Sequence, residues 1–487
     1  MGILNPCMAV CVFIAPVSAF EASFAVHIDG NRAPISPYIF GTNQVLDAAD
    51  GYTARRSGGN RLTGYNWENN ASNAGSDWNH SSDEYLSSSD VPGQYTVDFH
   101  ENALSSEAYT ILTIQMAGYV SRDKDGTVSE GETAPSGRWV EAVPGKDAPF
   151  SLEPDGNDNY VYMDEFVNFM VSRYGNASTA TGVKGYSLDN EPALWPSTHP
   201  RIHPQAPACA QLVSKSSALA GAVKDVDPSA EIFGPVLYGF AAYTGFQGAP
   251  DWDGLSSTYD WFIDYYLDGM RQAEEAAGRR LLDVLDLHWY PEARGDARIV
   301  MEGEALTGSD NLSRVQAPLT LWKDGYYENS WIGEWGRDFL PLIPKIMQSI
   351  DTYYPGTKLA FTEWCYGGGN HISGGIAAAD VLGIFINYDI YLAALWQLES
   401  QSDYISSAFK IFRNYDNAGS AYGDTRVPAV MSDTVNSSVY ASIRGTNVGT
   451  LHLIVINKNL AENMEASFSI TSSAAYHSGE VWSFEED

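Results

Sequence analysis

The chain contains the stretch Tyr186-Ser187-Leu188-Asp189-Asn190-Glu191-Pro192, an apolar, strand-like run that ends abruptly in an amide, a carboxylate and a proline. A second run of the same design is Lys358-Leu359-Ala360-Phe361-Thr362-Glu363-Trp364, which places another glutamate at the end of another strand. Cleavage of a glycosidic bond requires two carboxyl groups, because one donates a proton while the other supports the cationic sugar. Two strand-end glutamates far apart in sequence therefore indicate a glycoside hydrolase.

The same order of strand, polar loop and helix recurs along the chain. Eight candidate strands lie at 38–42, 52–56, 109–116, 183–188, 231–237, 282–288, 359–362 and 392–397. Helical patterns between them lie at 161–174, 208–226, 260–277, 342–354 and 376–391. Strands that alternate with helices predict a parallel sheet, and eight such units predict its closure into a (β/α)8 barrel.

Polar or aromatic side chains follow nearly every candidate strand. They are Asn43, Arg56, Gln115, Asn190 with Glu191, Tyr238, His288 with Tyr290, Glu363 and Trp396. Catalytic residues of this fold lie at the carboxyl ends of the strands, because the loops there vary while the strands hold positions rigidly. The register thus predicts one site that both glutamates share.

Beyond residue 400 the pattern changes. A helical segment at 403–415 gives way to alternating strands at 439–443, 451–457, 465–470 and 480–484, with a glycine-rich turn at 444–449. The early strand 24–28 has the same alternation, and we expect it to pair with that sheet. The predicted fold is α/β, a (β/α)8 TIM barrel with an appended antiparallel β-sandwich. We divide the chain into a signal or extension segment (1–20), a strand that joins the sandwich (21–34), the catalytic barrel (35–415) and the β-sandwich (416–487).

Composition restricts the partners. The formal charge of -33, from 61 acidic and 28 basic side chains, repels phosphate backbones and anionic lipid surfaces. We therefore expect no nucleic acid and no membrane as partner, and a monomer that binds a neutral polysaccharide.

The apolar segment 3–19 resembles a secretory signal, although it lacks a leading Lys or Arg, so secretion is expected and an N-terminal extension is the alternative. The four cysteines indicate no disulfide framework.

Three further motifs carry a family resemblance. They are Arg56-Ser57-Gly58-Gly59-Asn60-Arg61, Tyr65-Asn66-Trp67-Glu68-Asn69-Asn70, and the run from Ser72 to Trp78. Together with the two glutamate motifs, they resemble glycoside hydrolase family 44. The resemblance implies a retaining endo-β-1,4-glucanase or xyloglucanase, with Glu191 as acid/base and Glu363 as nucleophile.

The surrounding residues receive roles from their positions. Arg56 is the candidate cation beside Glu363, and Asn190 is placed to bind the sugar 2-hydroxyl. Tyr290 is expected to bond Glu363, and His288 to orient either glutamate; a structural salt bridge and a core histidine are the alternatives for Arg56 and His288. The expected sugar platforms, chosen because they adjoin motif residues, are Trp67, Trp364 and Trp396, and packing is expected for the other tryptophans.

Two acidic loops offer oxygen ligands for calcium. One contains Asp123 and Asp125, the other Asp155 and Asp158. The two loops offer a site for a structural calcium ion, and solvated acidic turns are the other interpretation, which the net charge favours. We expect no cofactor for catalysis.

The alternative function is a noncatalytic glycan-binding protein on the same scaffold. A metal-dependent barrel hydrolase would carry paired histidines at the first strand end, and a serine esterase would carry Gly-x-Ser-x-Gly; the sequence has neither. The preferred polymer stays open among glucan, xyloglucan, xylan and mannan.

Overall fold

A computed structural model describes residues 19–45, 51–301, 306–398 and 402–485. Eight parallel strands close into a barrel in sequential order. We label them β1 (Gly41–Thr42), β2 (Ala54–Ser57), β3 (Tyr109–Ile114), β4 (Gly185–Leu188), β5 (Glu231–Leu237), β6 (Val284–Trp289), β7 (Lys358–Trp364) and β8 (Leu392–Leu395). Each overlaps a predicted strand, so the predicted TIM barrel is confirmed. The predicted signal segment lies almost wholly outside the described residues.

Long helices surround the barrel. They follow β2 to β8 in order and span Gln94–Ser105, Met163–Tyr174, Cys209–Val226, Phe262–Ala277, Leu342–Tyr353, Ile372–Asn387 and Asp403–Arg413. Shorter α-helices are Asn60–Thr63, Trp195–Thr198, Phe240–Gly245, Trp252–Leu255, Gly308–Gln316 and Trp331–Trp335. Short 3-10 helices are Pro37–Ile39, Gly75–Trp78, Glu130–Glu132, Pro192–Leu194, Ala317–Leu321 and Arg337–Phe339. None of the helices in the described ranges is long and apolar enough to cross a membrane.

All five predicted helices between the strands are confirmed, with shifted ends. The helix predicted at 376–391 is Ile372–Asn387, because a turn with a left-handed backbone at Asp389 (φ 53°) separates it from β8. The helix Gln94–Ser105 escaped prediction because its buried face includes Thr96 and His100 beside Val97 and Phe99, which weakens the apolar pattern.

The interior of the barrel changes from apolar to polar along the strands. An apolar cluster fills its amino-terminal half and consists of Ala54, Tyr109, Ile111, Phe233, Val284, Ala360 and Leu392. Towards the carboxyl ends the inward side chains become Arg56, Ser187, Asp286 and Thr362, all fully buried. The strands thus direct polar groups towards one end of the barrel.

Two small sheets form the appended β module. One has the order Ala429–Met431, Ala19–His27, Asn463–Thr471, and the other Ala33–Pro34, Thr425–Val427, Ser437–Arg444, Asn447–Asn457. They share a buried apolar core that includes Val26, Ile28, Val427, Ala441 and Ile443. The prediction that the early strand joins this module is confirmed.

Two details of the module were predicted wrongly. Ala19–His27 pairs in parallel with Asn463–Thr471, so the module is not wholly antiparallel; a parallel pair needs a long connection, and the whole barrel supplies it. The segment 480–484 forms no strand in the described part of the chain. Its aromatic side chains pack against the barrel side of the chain instead: Trp482 lies against Tyr415, and Phe484 packs against the main core.

A buried polar contact joins the barrel to the module. Asp380, on the helix after β7, accepts a hydrogen bond from the Tyr440 hydroxyl at 2.6 Å. The Lys458 ammonium lies 3.3 Å from the other oxygen of the same carboxylate, and both side chains are almost completely buried. Gly383 gives the Tyr440 ring its place, because a Cβ there would lie 2.2 Å from it.

Two further sheets of short strands lie on the carboxyl-terminal side of the barrel. They lie in the connections that follow β2 and β3. One sheet contains Tyr119–Ser121, Trp139–Val143 and Tyr160–Tyr162, and the other contains Ser72–Asn73, Ser81–Asp83 and Gly126–Thr127.

Candidate active site

The two strand-end glutamates meet at the carboxyl end of the barrel. Glu191 follows β4, and Glu363 lies near the end of β7. One carboxylate oxygen of each lies within 4.8 Å of the other, and Nδ1 of His288 lies within the same distance of both. The side chain of Glu191 is 14% exposed and that of Glu363 is 6% exposed. The pair is thus enclosed but open enough to meet a substrate.

The backbone before Glu191 is held in an unusual conformation. Asp189 and Glu191 both adopt left-handed angles, with φ of 66° and 46°. Such angles cost about 1 to 3 kcal/mol at a non-glycine residue and persist only where the surroundings fix them. The buried carboxylate of Asp189 supplies the fixation, since it accepts hydrogen bonds from the Thr63 hydroxyl and from the amides of Met116, Ala117 and Asn190.

Glu191 lies in surroundings that favour its protonated form. Its burial raises the pKa of the carboxyl to about 7, while Arg56 acts in the opposite direction. Nδ1 of His288 lies 2.8 Å from Oε1 of Glu191. His288 is fully buried, and burial lowers the pKa of its imidazole to about 3, so the ring is neutral at neutral pH. The expectation that His288 contacts the glutamates is confirmed.

Glu363 is held by two hydrogen-bond donors. Nη1 of Arg56 donates to Oε1 at 2.7 Å, and the Tyr290 hydroxyl donates to Oε2 at 2.9 Å. Nη2 of Arg56 donates to Oδ1 of Asn190 at 2.9 Å, so one guanidinium connects the two glutamate motifs. Two donors suit an acceptor-only carboxylate and fix its orientation. The sequence placed Arg56, Asn190 and Tyr290 correctly.

The tryptophans contradict part of the sequence-based expectation. Trp67 is fully buried between Phe166 and Phe169, so it is a core residue and not a sugar platform. Trp364 is likewise fully buried, against Phe385 and Phe409, because the side chain after Glu363 faces the helices.

Trp396, the third expected platform, has a different environment. Its side chain is partly exposed at the end of β8. The ring lies against the backbone of Gly59, where a Cβ would meet it at 2.6 Å, and Gly59 has a φ of 91° that favours glycine. A glycine of the Arg56 motif therefore makes room for the aromatic ring.

A cavity of about 450 Å³ opens beside Glu191. Its lining includes Tyr238, Phe240, Tyr290, Met301 and Trp331. Trp331 is 40% exposed, although packing was expected for it. A larger pocket, of about 540 Å³, lies at the other end of the barrel near Tyr38 and Lys358 and contains neither glutamate, so the chemistry points to the smaller one.

The acidic loops are largely occupied by their own hydrogen bonds. Asp123 accepts two hydrogen bonds from Arg138, at 2.8 and 2.9 Å. The amide of Asp125 donates to Asp123 as well, and Asp155 and Asp158 accept bonds from amides of their own loop. Asp155 and Asp158 also lie near the buried Glu68, whose pKa is raised to about 8 chiefly by burial. The second loop is thus the better of the two calcium candidates.

Known proteins with similar sequences are glycan hydrolases. A model of glycoside hydrolase family 44 matches residues 71–293. The chain is 56% identical over 477 residues to endoglucanase A of Paenibacillus lautus, which covers 96% of this chain and 68% of that protein. It is 51% identical over 482 residues to a β-mannanase/endoglucanase A of Caldicellulosiruptor saccharolyticus, which covers 95% of this chain and 36% of that protein.

A solved structure gives the same result. A family 44 xyloglucanase of Paenibacillus polymyxa, determined with xyloglucan, superposes with a TM-score of 0.92 at 52% identity. The match covers 94% of this chain and 91% of the other. Agreement over both barrel and β module extends the likeness beyond the site itself.

Proposed function

This chain belongs to glycoside hydrolase family 44, and from that membership we propose that it is a retaining endo-acting hydrolase of β-1,4-glucan backbones. The chain is a glycoside hydrolase. In the proposal, Glu363 is the nucleophile and Glu191 is the acid/base. Retention, the endo mode and the polymer are the parts that experiments must decide.

The separation of the carboxylates carries the proposal of retention. Retaining enzymes place the two carboxyl groups roughly 5 to 5.5 Å apart, whereas inverting enzymes leave roughly 6.5 to 9.5 Å for a water molecule between them. The nearest oxygens of Glu191 and Glu363 lie within 4.8 Å, which is shorter than the separation of an inverting pair. This spacing supports direct attack of a carboxylate on the sugar.

The proposed reaction proceeds in two balanced steps. The Glu363 carboxylate attacks the anomeric carbon, and Glu191 gives its proton to the departing glycosidic oxygen, which yields a glycosyl ester and a free chain end. Glu191, now a carboxylate, then takes a proton from water as that water attacks the anomeric carbon and releases Glu363. The environments of the two groups support these roles: burial raises the pKa of Glu191, while Glu363 receives bonds from Arg56 and Tyr290.

The remaining residues are proposed to bind the sugar. Asn190, oriented by Arg56, would bind the 2-hydroxyl of the ring being cleaved, a contact that strengthens as positive charge develops. Trp396 would form the apolar surface beneath that ring. His288 and Tyr290 would hold the two carboxyl groups at the distance that the reaction requires.

The substrate is proposed to be a β-1,4-linked glucan, with xyloglucan included. The solved relative was determined with xyloglucan, and one curated relative is named for mannan as well as glucan cleavage. Reducing-sugar assays on soluble glucan, xyloglucan, xylan and mannan would rank these polymers. Proton NMR in the first minutes of hydrolysis would show which anomer is released. Release of the β anomer would support retention, and release of the α anomer would refute it.

The alternative is a noncatalytic glycan-binding protein on the same scaffold. It predicts polymer binding without any release of reducing ends. A binding isotherm with no turnover on all four polymers would favour it. Both glutamates are present and lie within hydrogen-bonding distance of Arg56 and His288, which supports a catalytic function instead.

A structural calcium ion at Asp155 and Asp158 stays a prediction. Both carboxylates lie near Glu68 and add to the burial that raises its pKa, whereas the nearby Lys146 lowers it. A bound calcium would add positive charge to this group of acidic side chains. We expect EGTA to lower the melting temperature, and Asp158→Asn to remove that sensitivity while Asp123→Asn keeps it.

We also propose that the protein is secreted and monomeric. The net charge of -33 supports solubility and disfavours nucleic acid and anionic membranes. Light scattering of the purified protein would give the oligomeric state. Detection of activity in culture medium would test secretion.

A further inference from the structure

The polar interior beneath the glutamates forms a defined layer. In an eight-stranded barrel of this kind the strands are staggered. A layer of the interior therefore takes one side chain from every other strand, and each step of two strands moves two residues along the paired register. Starting at Arg56 on β2, the pairs lead to Ser187 on β4, then Asp286 on β6 and Ala394 on β8, and back to Arg56. Three of these four side chains are polar. Ala394, which is small, leaves space in the layer.

Several polar atoms at this layer lack a protein partner. They are Nε of Arg56, Oγ of Ser187 and Oδ2 of Asp286, together with Nε2 of His288, two residues further along β6. All four side chains are fully buried. Buried polar groups almost always have a hydrogen-bond partner, and unpartnered atoms in this layer and at His288 beyond it indicate a bound water.

We propose that Asp286 is a positioning residue for the catalytic acid, acting through one buried water and the His288 ring. Asp286 and His288 lie two residues apart on one face of β6, which places their Cα atoms roughly 6.5 Å apart. One water spans the gap between Oδ2 of Asp286 and Nε2 of His288. The other oxygen of Asp286 is fixed by the Thr362 hydroxyl, which donates to it at 2.6 Å. The inference rests on the proposed role of Glu191 as acid.

The direction of hydrogen bonding selects one form of His288. A protonated Glu191 donates to Nδ1 only if Nδ1 carries a lone pair, which puts the single ring proton on Nε2. Nε2–H then donates to the water, and the water donates to Asp286. Along this line every donor meets an acceptor. In the opposite form Nδ1–H would donate to Glu191 and the water would donate to both Nε2 and Asp286, so the two forms differ in the protonation state of Glu191 that they favour.

This line favours the protonated state of Glu191. A hydrogen bond accepted from a neutral carboxyl stabilises the neutral form, whereas a bond donated to the carboxylate stabilises the charged form. Several charged or titratable side chains interact electrostatically with Glu191, His288 or Asp286. They include Arg56, Asp77, Tyr238, Tyr243, Tyr266, Tyr290 and Glu363. Arg56 is the sole cation in that set, and burial raises the pKa of both Glu191 and Asp286 to about 7.

Nitrogen NMR of the full-length protein labelled with 15N-histidine tests the proposal without any turnover. The His288 signals are assigned by their loss in His288→Gln. We expect a proton-bearing Nε2 and a proton-free Nδ1 at pH 6; a proton-free Nε2 would overturn the proposal. Because this readout does not depend on activity, it separates the proposal from the assignment of Glu191 as acid.

Variants add a functional readout. Asp286→Ala should lower kcat/KM by roughly 10- to 100-fold, the range known for supporting partners of active groups, and move the alkaline limb of the pH profile to lower pH. Asp286→Asn retains an oxygen acceptor and should restore much of the limb. Ile111→Val, in the apolar part of the same interior, should leave the limb and the His288 signals in place. If Asp286→Ala lowers kcat/KM but leaves the alkaline limb and the His288 nitrogen signals unchanged, the role of Asp286 is only structural and the proposal is refuted.

Discussion

Replacement of Glu191 by Gln gives the sharpest test of the proposed mechanism. Burial raises the pKa of Glu191 from an ordinary 4.5 to about 7. That rise corresponds to about 3 kcal/mol in favour of the protonated carboxyl, at 1.36 kcal/mol for each factor of ten. At pH 7 about half of the molecules then carry the acid proton, against about one in 300 for an ordinary glutamate. The protein environment therefore decides whether the acid is available.

The assay compares two leaving groups across pH. With wild-type protein, kcat/KM should fall as pH rises through about 7, because Glu191 loses its proton there. Glu191→Gln cannot titrate, so that limb should disappear. Activity on unactivated glucan should fall by roughly 10²- to 10⁴-fold, the usual contribution of a general acid. A nitrophenyl cellobioside, whose leaving group needs no proton, should lose far less in its first chemical step.

A matched control strengthens the comparison. Glu292 lines the same cavity but is paired with Arg298 at 2.9 Å. Glu292→Gln should retain the alkaline limb and the ratio between the two substrates. Equal losses on both substrates in Glu191→Gln, or a limb that persists near pH 7, would refute the assignment of Glu191 as acid.

Three further predictions concern the nucleophile, the platform and the link between barrel and module. Glu363→Ala should lose roughly 10⁴-fold or more in kcat and still bind cello-oligosaccharides by calorimetry, and added azide should give an α-glycosyl azide; a β product would contradict its role as nucleophile. Gly59→Ala should displace the ring that lies 2.6 Å from the added Cβ and raise KM, whereas Gly137→Ala, which meets nothing within 4 Å, should not. Asp380→Asn removes one partner of a buried pair and should lower the free energy of unfolding by about 3 kcal/mol or more. Asp389→Asn breaks an exposed pair between the same two units and should cost less than about 1 kcal/mol, as denaturant titration would reveal.

The barrel could be predicted because its signals are local. Each strand is a short buried run followed by a polar residue, and all eight ends converge on one face once the sheet closes. The same logic placed Arg56, Asn190, His288 and Tyr290 around the glutamates, since a residue at a strand end has few directions to point.

The tryptophans failed because proximity in sequence does not determine the direction of a side chain. Trp364 follows Glu363 directly, yet it packs against Phe385 and Phe409 among the helices. The pairing of β7 with β8 shifts in register between Phe361 and Trp364, so counting alternate residues along the sequence does not fix which side chain faces the helices. Trp67 lies in a loop, where no such period exists, and its burial against Phe166 depends on a helix about a hundred residues away.

Asp189 and Asp286 show a different limit. Both are buried carboxyls, and a sequence presents them as ordinary acidic residues. The role of Asp189 becomes visible only when the amides of Met116 and Ala117, in the connection that follows β3, donate to its carboxylate. That of Asp286 does so only when the register of β6 is fixed, because a displacement by one residue would turn it outward.

The parallel pairing of Ala19–His27 with Asn463–Thr471 has a consequence for how the polypeptide is handled. The central ribbon of one sheet in the β module is synthesised first, and both of its neighbours are synthesised last. An excised fragment that starts at residue 416 would therefore lack the piece that its flanking ribbons need, and would expose the apolar surface that Phe24 and Val26 cover. Anyone who wishes to graft this module elsewhere must carry its opening ribbon along, for instance by circular permutation.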